Sequence, residues 1–176
     1  MLTAQQEQII EQQLGRKPRG IVDIAYATKS GVPVVLRMRS LVDDQPFPTL
    51  YWLCSKDLHR AIARLETEGW VKRLEDELAE DVEFRQAYLE NHRQYVAQRW
   101  QYMNDEDRQR IEQLGFSALF DQYGIGGISQ WDKIRCLHMQ YAHYLAQCQS
   151  GEQGAKNVVG ERLEREFGLK GLKLSI

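Results

Sequence analysis

Apolar positions along the chain recur in two different rhythms, and the change between them falls near residue 54. In "TAQQEQIIEQQLG" the sparse apolar residues sit at helical spacing; Thr3 with Gln6 three residues on makes a capping box, and Gly15 is a stop. This predicts a helix over about 4–14. After the basic loop "RKPRG" the rhythm becomes alternation. "IVDIAYA" places Val22, Ile24 and Tyr26 on one face of a strand, and "VPVVLRMR" alternates Val34, Leu36 and Met38 against Val35, Arg37 and Arg39. Pro33 predicts that this second strand starts at a sheet edge. "TLYWLC" is a third strand, with "DDQPFP" as the loop before it. The short connections favour an antiparallel meander over residues 20–54.

Beyond Cys54 the period is close to 3.6. Ser55 can cap a helix whose Leu58, Ala61, Ile62 and Leu65 share a stripe ending at Gly69. "VKRLEDELAE" continues with Val71, Leu74 and Leu78. Asp81 can open a long helix to about Met103, with Phe84, Tyr88, Tyr95 and Tyr102 on one stripe beside Leu89 and Val96. Asn104 opens a shorter helix to Gly115. "SALFDQYG" is one or two turns, "GIGG" a loop, and Ser129 with Asp132 predicts the start of the helix holding "IRCLHMQYAHYLA". After the loop "SGEQGAKN" a last helix runs over about 159–167. The expected fold class is α+β: a small three-stranded antiparallel sheet near the N-terminus followed by a mostly helical remainder, as a single domain over 1–176.

Composition narrows the function classes. With 43% hydrophobic and 27% charged residues the 176-residue chain has the profile of an ordinary globular protein. A net charge of −2 lacks the basic excess of a nucleic-acid binder, so no nucleic-acid partner is expected. No run approaches the roughly 20 apolar residues of a membrane span, and the N-terminus has no apolar core of signal-peptide length. The three cysteines, Cys54, Cys136 and Cys148, are odd in number and unpatterned. Reduced thiols in a cytoplasmic protein are the expectation.

The carboxylates of "LEDELAEDVE" read as a solvated helix face. In "IRCLHMQYAHYLA", Cys136 and His143 share a direction on a continuous helix but lie about 10.5 Å apart along its axis, too far for one metal. His138 and His143 are about 140° apart around that axis. A metal site from Cys136, His138 and His143 therefore requires Cys136 and His138 to stand off the helix; no metal bound by these three is expected, and no cofactor is expected. Nor does a cysteine-hydrolase signature surround Cys136. "YGIGGIS", running toward Lys133 and Arg135, could cradle an anion at a helix N-terminus, although Asp132 would compete for the same amides. Arg16, Lys17 and Arg19 form a second basic loop.

The strings "LGRKPRGIV", "QPFPTLYWL", "LETEG", "GIGGI", "IRCLHMQYAHYLA" and "NVVG", in this order over about residues 14–160, resemble the bacterial family called domain of unknown function 501. The resemblance implies a fold and no activity. It highlights the basic loop at Arg16 and Arg19, the Cys136-Leu-His138 string, His143, and Asn157 with Gly160. Many relatives carry a cysteine-rich turn before the second strand and a Thr-Cys-Pro after the third. Here those places read "ATKSG" and "LCSK", so any metal held by those cysteines would be lost, and the relatives' Asn-Pro is Asn157-Val158. The leading expectation is a small anionic (phosphate- or carboxylate-bearing) ligand held by Arg16, Arg19, Arg135, His138 and Asn157, with enzymatic action open. The alternatives are a protein–protein adaptor using "PFPTLYW" and the stripe of Tyr88, Tyr95 and Tyr102, and a metal-dependent enzyme using Cys136, His138 and His143.

Overall fold

Local capping fixes the first element. In the computed structural model, which describes residues 1–175, α1 (Ala4–Leu14) opens with the reciprocal Thr3–Gln6 box and closes at Gly15, whose φ is 69°. Five strands follow: β1 (Ile21–Ala27), β2 (Pro33–Met38), β3 (Leu41–Val42), β4 (Gln45–Pro46) and β5 (Tyr51–Leu53). The expected three-stranded antiparallel sheet is present, in the order β1-β2-β5. The loop expected before the third strand instead folds into a separate β3–β4 hairpin, turned by Asp43 and Asp44 at φ 50° and 60°.

β2 is the central strand, not one that begins at an edge. Pro33 is tolerated as its first residue because pairing with β5 begins only further along, at Val35. Both faces of β2 are covered. Leu36 and Met38 pack with Ile10 of α1, while Val34 and Val35 join Leu137, Tyr141 and Leu145 on the other side. β1 departs from strict alternation at three register shifts. Ile21 and Ile24 turn toward α1, Ala25 and Tyr26 toward the larger core, and Val22 is exposed. Each irregularity displaces the two-residue period, so the expected Val22–Ile24–Tyr26 face does not form.

The helical part follows the capping signals closely. Ser55 opens α2 (Lys56–Thr67), Asp81 opens α4 (Val82–Tyr102) and Asn104 opens α5 (Asp105–Gln113). α3 (Trp70–Glu80) and α6 (Ser117–Gln122) lie where the periodicity predicts helix. α7 (Leu137–Ser150) and α8 (Val158–Phe167) complete the set. Along α4 the inward face carries Tyr88, His92, Tyr95 and Arg99, whereas Tyr102 is 44% exposed. Arg99 is fully buried and donates to the carbonyls of Pro48, Phe120 and Tyr123. One guanidinium thus ties the loop before β5 and the end of α6 to α4.

α7 and α8 approach closely. A Cβ on Gly160 would come within 2.3 Å of the Tyr144 Cβ. Asn157, fully buried, caps α8 by accepting from the Gly160 N–H at 2.8 Å. Its amide nitrogen donates to Gln140 Oε1 at 2.8 Å and to His143 Nδ1 at 3.2 Å. Asn157→Ala removes a cap and leaves buried acceptors unpaired, so denaturant unfolding should show a loss of about 2–4 kcal/mol. Gly160→Ala should cost about 1–3 kcal/mol through overpacking. Unchanged unfolding midpoints would contradict this packing.

Candidate functional site

Three groups from other helices seize the backbone ahead of α7. The N–H of Ile134 donates to Glu75 Oε1 and that of Leu137 to Glu66 Oε1, both at 2.8 Å. The Tyr88 hydroxyl donates to the Lys133 carbonyl at 2.6 Å. Helix formation would need these groups, so the helix expected from Ser129 begins at Leu137. Glu75 is therefore a tether, and Glu77 is another, gripping Arg162 in two bonds of 2.7 and 3.0 Å. Asp76, Glu80, Asp81 and Glu83 remain exposed, as expected of a solvated face.

The glycine loop does not lead into a helix, yet it packs beside the start of α7: a Cβ on Gly126 would lie 3.7 Å from the Cys136 Cβ and 3.8 Å from the Cys136 backbone nitrogen. The N–H of Ile125 donates to His92 Nδ1 at 3.0 Å and that of Gly127 to the Gly124 carbonyl. Gly124 is required there, because a Cβ would lie 2.1 Å from His92 Nδ1. Gly126 and Gly127 take φ of 79° and 68°. This is a tight turn stitched to α4, with the amides of Gly124, Ile125 and Gly127 already used.

The late start of α7 leaves Cys136 extended at its N-cap (φ −142°, ψ 113°) and His138 in its first turn. Cys136 Sγ lies 3.6 Å from His138 Nδ1. Glu66 Oε1 lies 3.3 Å from the same nitrogen. His138 Nε2 is 3.0 Å from the His59 carbonyl. A carbonyl only accepts, so Nε2 carries the hydrogen and Nδ1 faces the thiol and the carboxylate. Burial opposes protonation of His138. The Cys136 thiol, the His59 carbonyl and Glu66 together outweigh it, and the net shift is upward from the ordinary 6.5.

A cleft of about 510 Å³ opens beside this cluster. Cys136 and His138 border it, together with Arg16, Lys56, His59 and Arg60, and the residues lining it include no carboxylate. Gln13 lines it too. Its amide donates to the Pro33 carbonyl, while its buried Oε1 has no partner among the described residues. Cys54 also borders the cleft, but burial pushes its thiol up to about 12.

The five residues expected to share a site are dispersed. Arg16 and His138 share this cleft. Arg19 is exposed, paired with Asp43, and borders a neighbouring cleft of about 350 Å³ that Arg16 also reaches. Arg135 is exposed and lines neither. Asn157 is buried between α7 and α8, its amide nitrogen bonded to Gln140 and His143, and it lines neither cleft. His143 does not join Cys136 and His138. It stacks on Tyr51 with ring centroids 5.9 Å apart and meets Tyr95 edge-on at 5.2 Å. Of the tyrosine stripe, Tyr88 and Tyr95 are core, leaving Tyr102 at the surface.

The family model described as "Protein of unknown function (DUF501)" matches residues 24–165. The chain belongs to that family. A search of the curated proteins and of the solved structures found no match. Within the DUF501 span lie Glu66, Cys136 and His138, and the cleft's basic residues other than Arg16. Sequence reasoning missed Glu66 and His59 because each is more than 70 residues from its partner around Cys136–His138. The available hint is that Glu66 belongs to the distinctive "LETEG" string.

His143 and His92 form a different kind of site in this DUF501 chain. Burial holds His92 down to about 4, and burial with the nearby His92 holds His143 down to about 3. Both are neutral in the folded protein, whereas the unfolded chain protonates near the ordinary 6.5. Stability is therefore complete above about pH 6.5 and falls as pH drops toward 4 and then 3, by about 1.4 kcal/mol per pH unit per histidine. Urea midpoints measured between pH 7 and 4 should fall, less steeply than this combined slope because His138, shifted the other way, gains stability over the same range, and His143→Gln should flatten the fall. A flat profile would contradict buried, neutral histidines.

Proposed function

We propose that the chain binds a small anionic ligand in the cleft bordered by α1, β5, α2 and the N-terminus of α7. The observation that carries this reading is the charge of the lining: Arg16, Lys56 and Arg60 border the cleft with His59 and His138, and no carboxylate lines it, Asp57 and Glu66 standing outside the lining beside Arg60 and His138. Such a concave, one-signed surface focuses field and raises the local concentration of anions. Arginine's planar fork suits a phosphate or carboxylate better than an ammonium does. Cys136 and His138, at the edge of the same cleft, lie where chemistry on the bound ligand would occur.

Thermal unfolding with increasing inorganic phosphate, in the presence of a chelator, tests this. A ligand at a hundred times its dissociation constant stabilises by about 2.7 kcal/mol. Arg16→Ala with Arg60→Ala should remove most of the phosphate-induced rise in Tm, and Arg93→Ala, which breaks an exposed pair with Glu90, should leave it intact. Equal rises in all three proteins would contradict the assignment.

A further inference from the structure

We infer that Glu66, Cys136 and His138 form a binding site for a zinc-class divalent metal ion, with its fourth coordination position facing the basic cleft. The three donor atoms lie within 4.8 Å of one another. The two spacings about His138 Nδ1 are those of ligands around one ion. With metal–sulfur near 2.3 Å and metal–nitrogen or –oxygen near 2.0–2.1 Å, tetrahedral angles separate sulfur from nitrogen by about 3.5 Å and nitrogen from oxygen by about 3.3 Å. The observed Sγ–Nδ1 and Nδ1–Oε1 distances are 3.6 and 3.3 Å.

The surroundings orient each donor. His138 donates its other ring N–H to the His59 carbonyl, the outer contact that fixes a metal-binding imidazole in its tautomer. The nitrogen left facing Cys136 and Glu66 then bears a lone pair, and three electron-rich atoms converge. In the metal-free protein the Cys136 S–H or a proton on Nδ1 satisfies this lone pair, and a metal ion can take that proton's place. Glu66 Oε1 is held by the Leu137 N–H, so the carboxylate does not have to be ordered on binding. One thiolate, one imidazole and one carboxylate select zinc or a similar transition metal over magnesium or calcium, which take oxygen ligands. Three protein ligands leave a position open, the arrangement of sites that activate water or bind an anion. Cys136 and His138 line the cleft, which gives that position a direction. The site does not rest on the anion reading, although an anion in the cleft would lie beside it.

The test is cobalt(II) titration of chelator-treated protein in a non-coordinating buffer free of phosphate, followed by the near-ultraviolet thiolate-to-cobalt absorption and by zinc competition. One ion per chain should bind, with the thiolate band. Cys136→Ser should abolish the band and weaken zinc binding at least a hundredfold, and His138→Gln should weaken it comparably. Serine is favourable at an N-cap, so Cys136→Ser should retain the wild-type circular dichroism and melting temperature of the metal-free protein. Cys54→Ser should bind as the wild type does. Absence of the band in the wild type, its persistence in Cys136→Ser, or its loss in Cys54→Ser overturns the inference. Because the phosphate experiment is run in chelator, a failure of either leaves the other standing.

Discussion

Two backbone amides, those of Ile134 and Leu137, are committed to the carboxylates of Glu75 and Glu66, and the site follows from that commitment. Hydrogen bonds from N–H to a charged acceptor each contribute about 1.5–3 kcal/mol, enough to override a weak local preference for helix. They hold residues 129–136 out of helical form, set the start of α7 and turn Cys136 into an N-cap. His138 then falls one turn in, against the carboxylate that already holds the helix end. The same carboxylate serves the architecture and the chemistry. It docks α2 on α7 and supplies the third member of the donor cluster.

The rest of the interior uses polar groups in a comparable way. Arg99 gathers three carbonyls from the loop before β5 and the end of α6, and Asn157 joins α8 to Gln140 and His143 of α7. Arg99 has no carboxylate among these partners; the carbonyls and the rings of Tyr95 and Phe120 surround it instead. Groups of this kind are costly unless satisfied, so they specify one arrangement of the helices more sharply than apolar packing does. A rigid frame of this sort is what a cleft with fixed donor positions requires.

Local signals were readable in the sequence where they act locally. Thr3–Gln6, Ser55, Asp81 and Asn104 cap the helices they were expected to cap, because capping is a contact between residues three apart. The three-stranded sheet was readable from alternation. The shifted registers of β1 were not, because an irregularity leaves residue types unchanged while displacing the period. Ser129 and Asp132 looked like a cap, but Glu66, Glu75 and Tyr88 outcompete it from 45 or more residues away. The Cys136–His138 pairing was visible as a string. Its geometry depended on where α7 begins, and its third donor lay in another helix. Asn157 reads as a ligand-binding residue because polar groups at distinctive positions suggest function; in the structure it is buried, capping α8 and bonded to Gln140 and His143.

The most direct measurement is the protonation of the His138 ring nitrogens by long-range ¹H–¹⁵N correlation in metal-free protein at pH 8. The account predicts hydrogen on Nε2, bonded to the His59 carbonyl, and an Nδ1 that responds alone to acid or to zinc. A ring protonated on Nδ1, with Nε2 the nitrogen that responds to zinc, would contradict it.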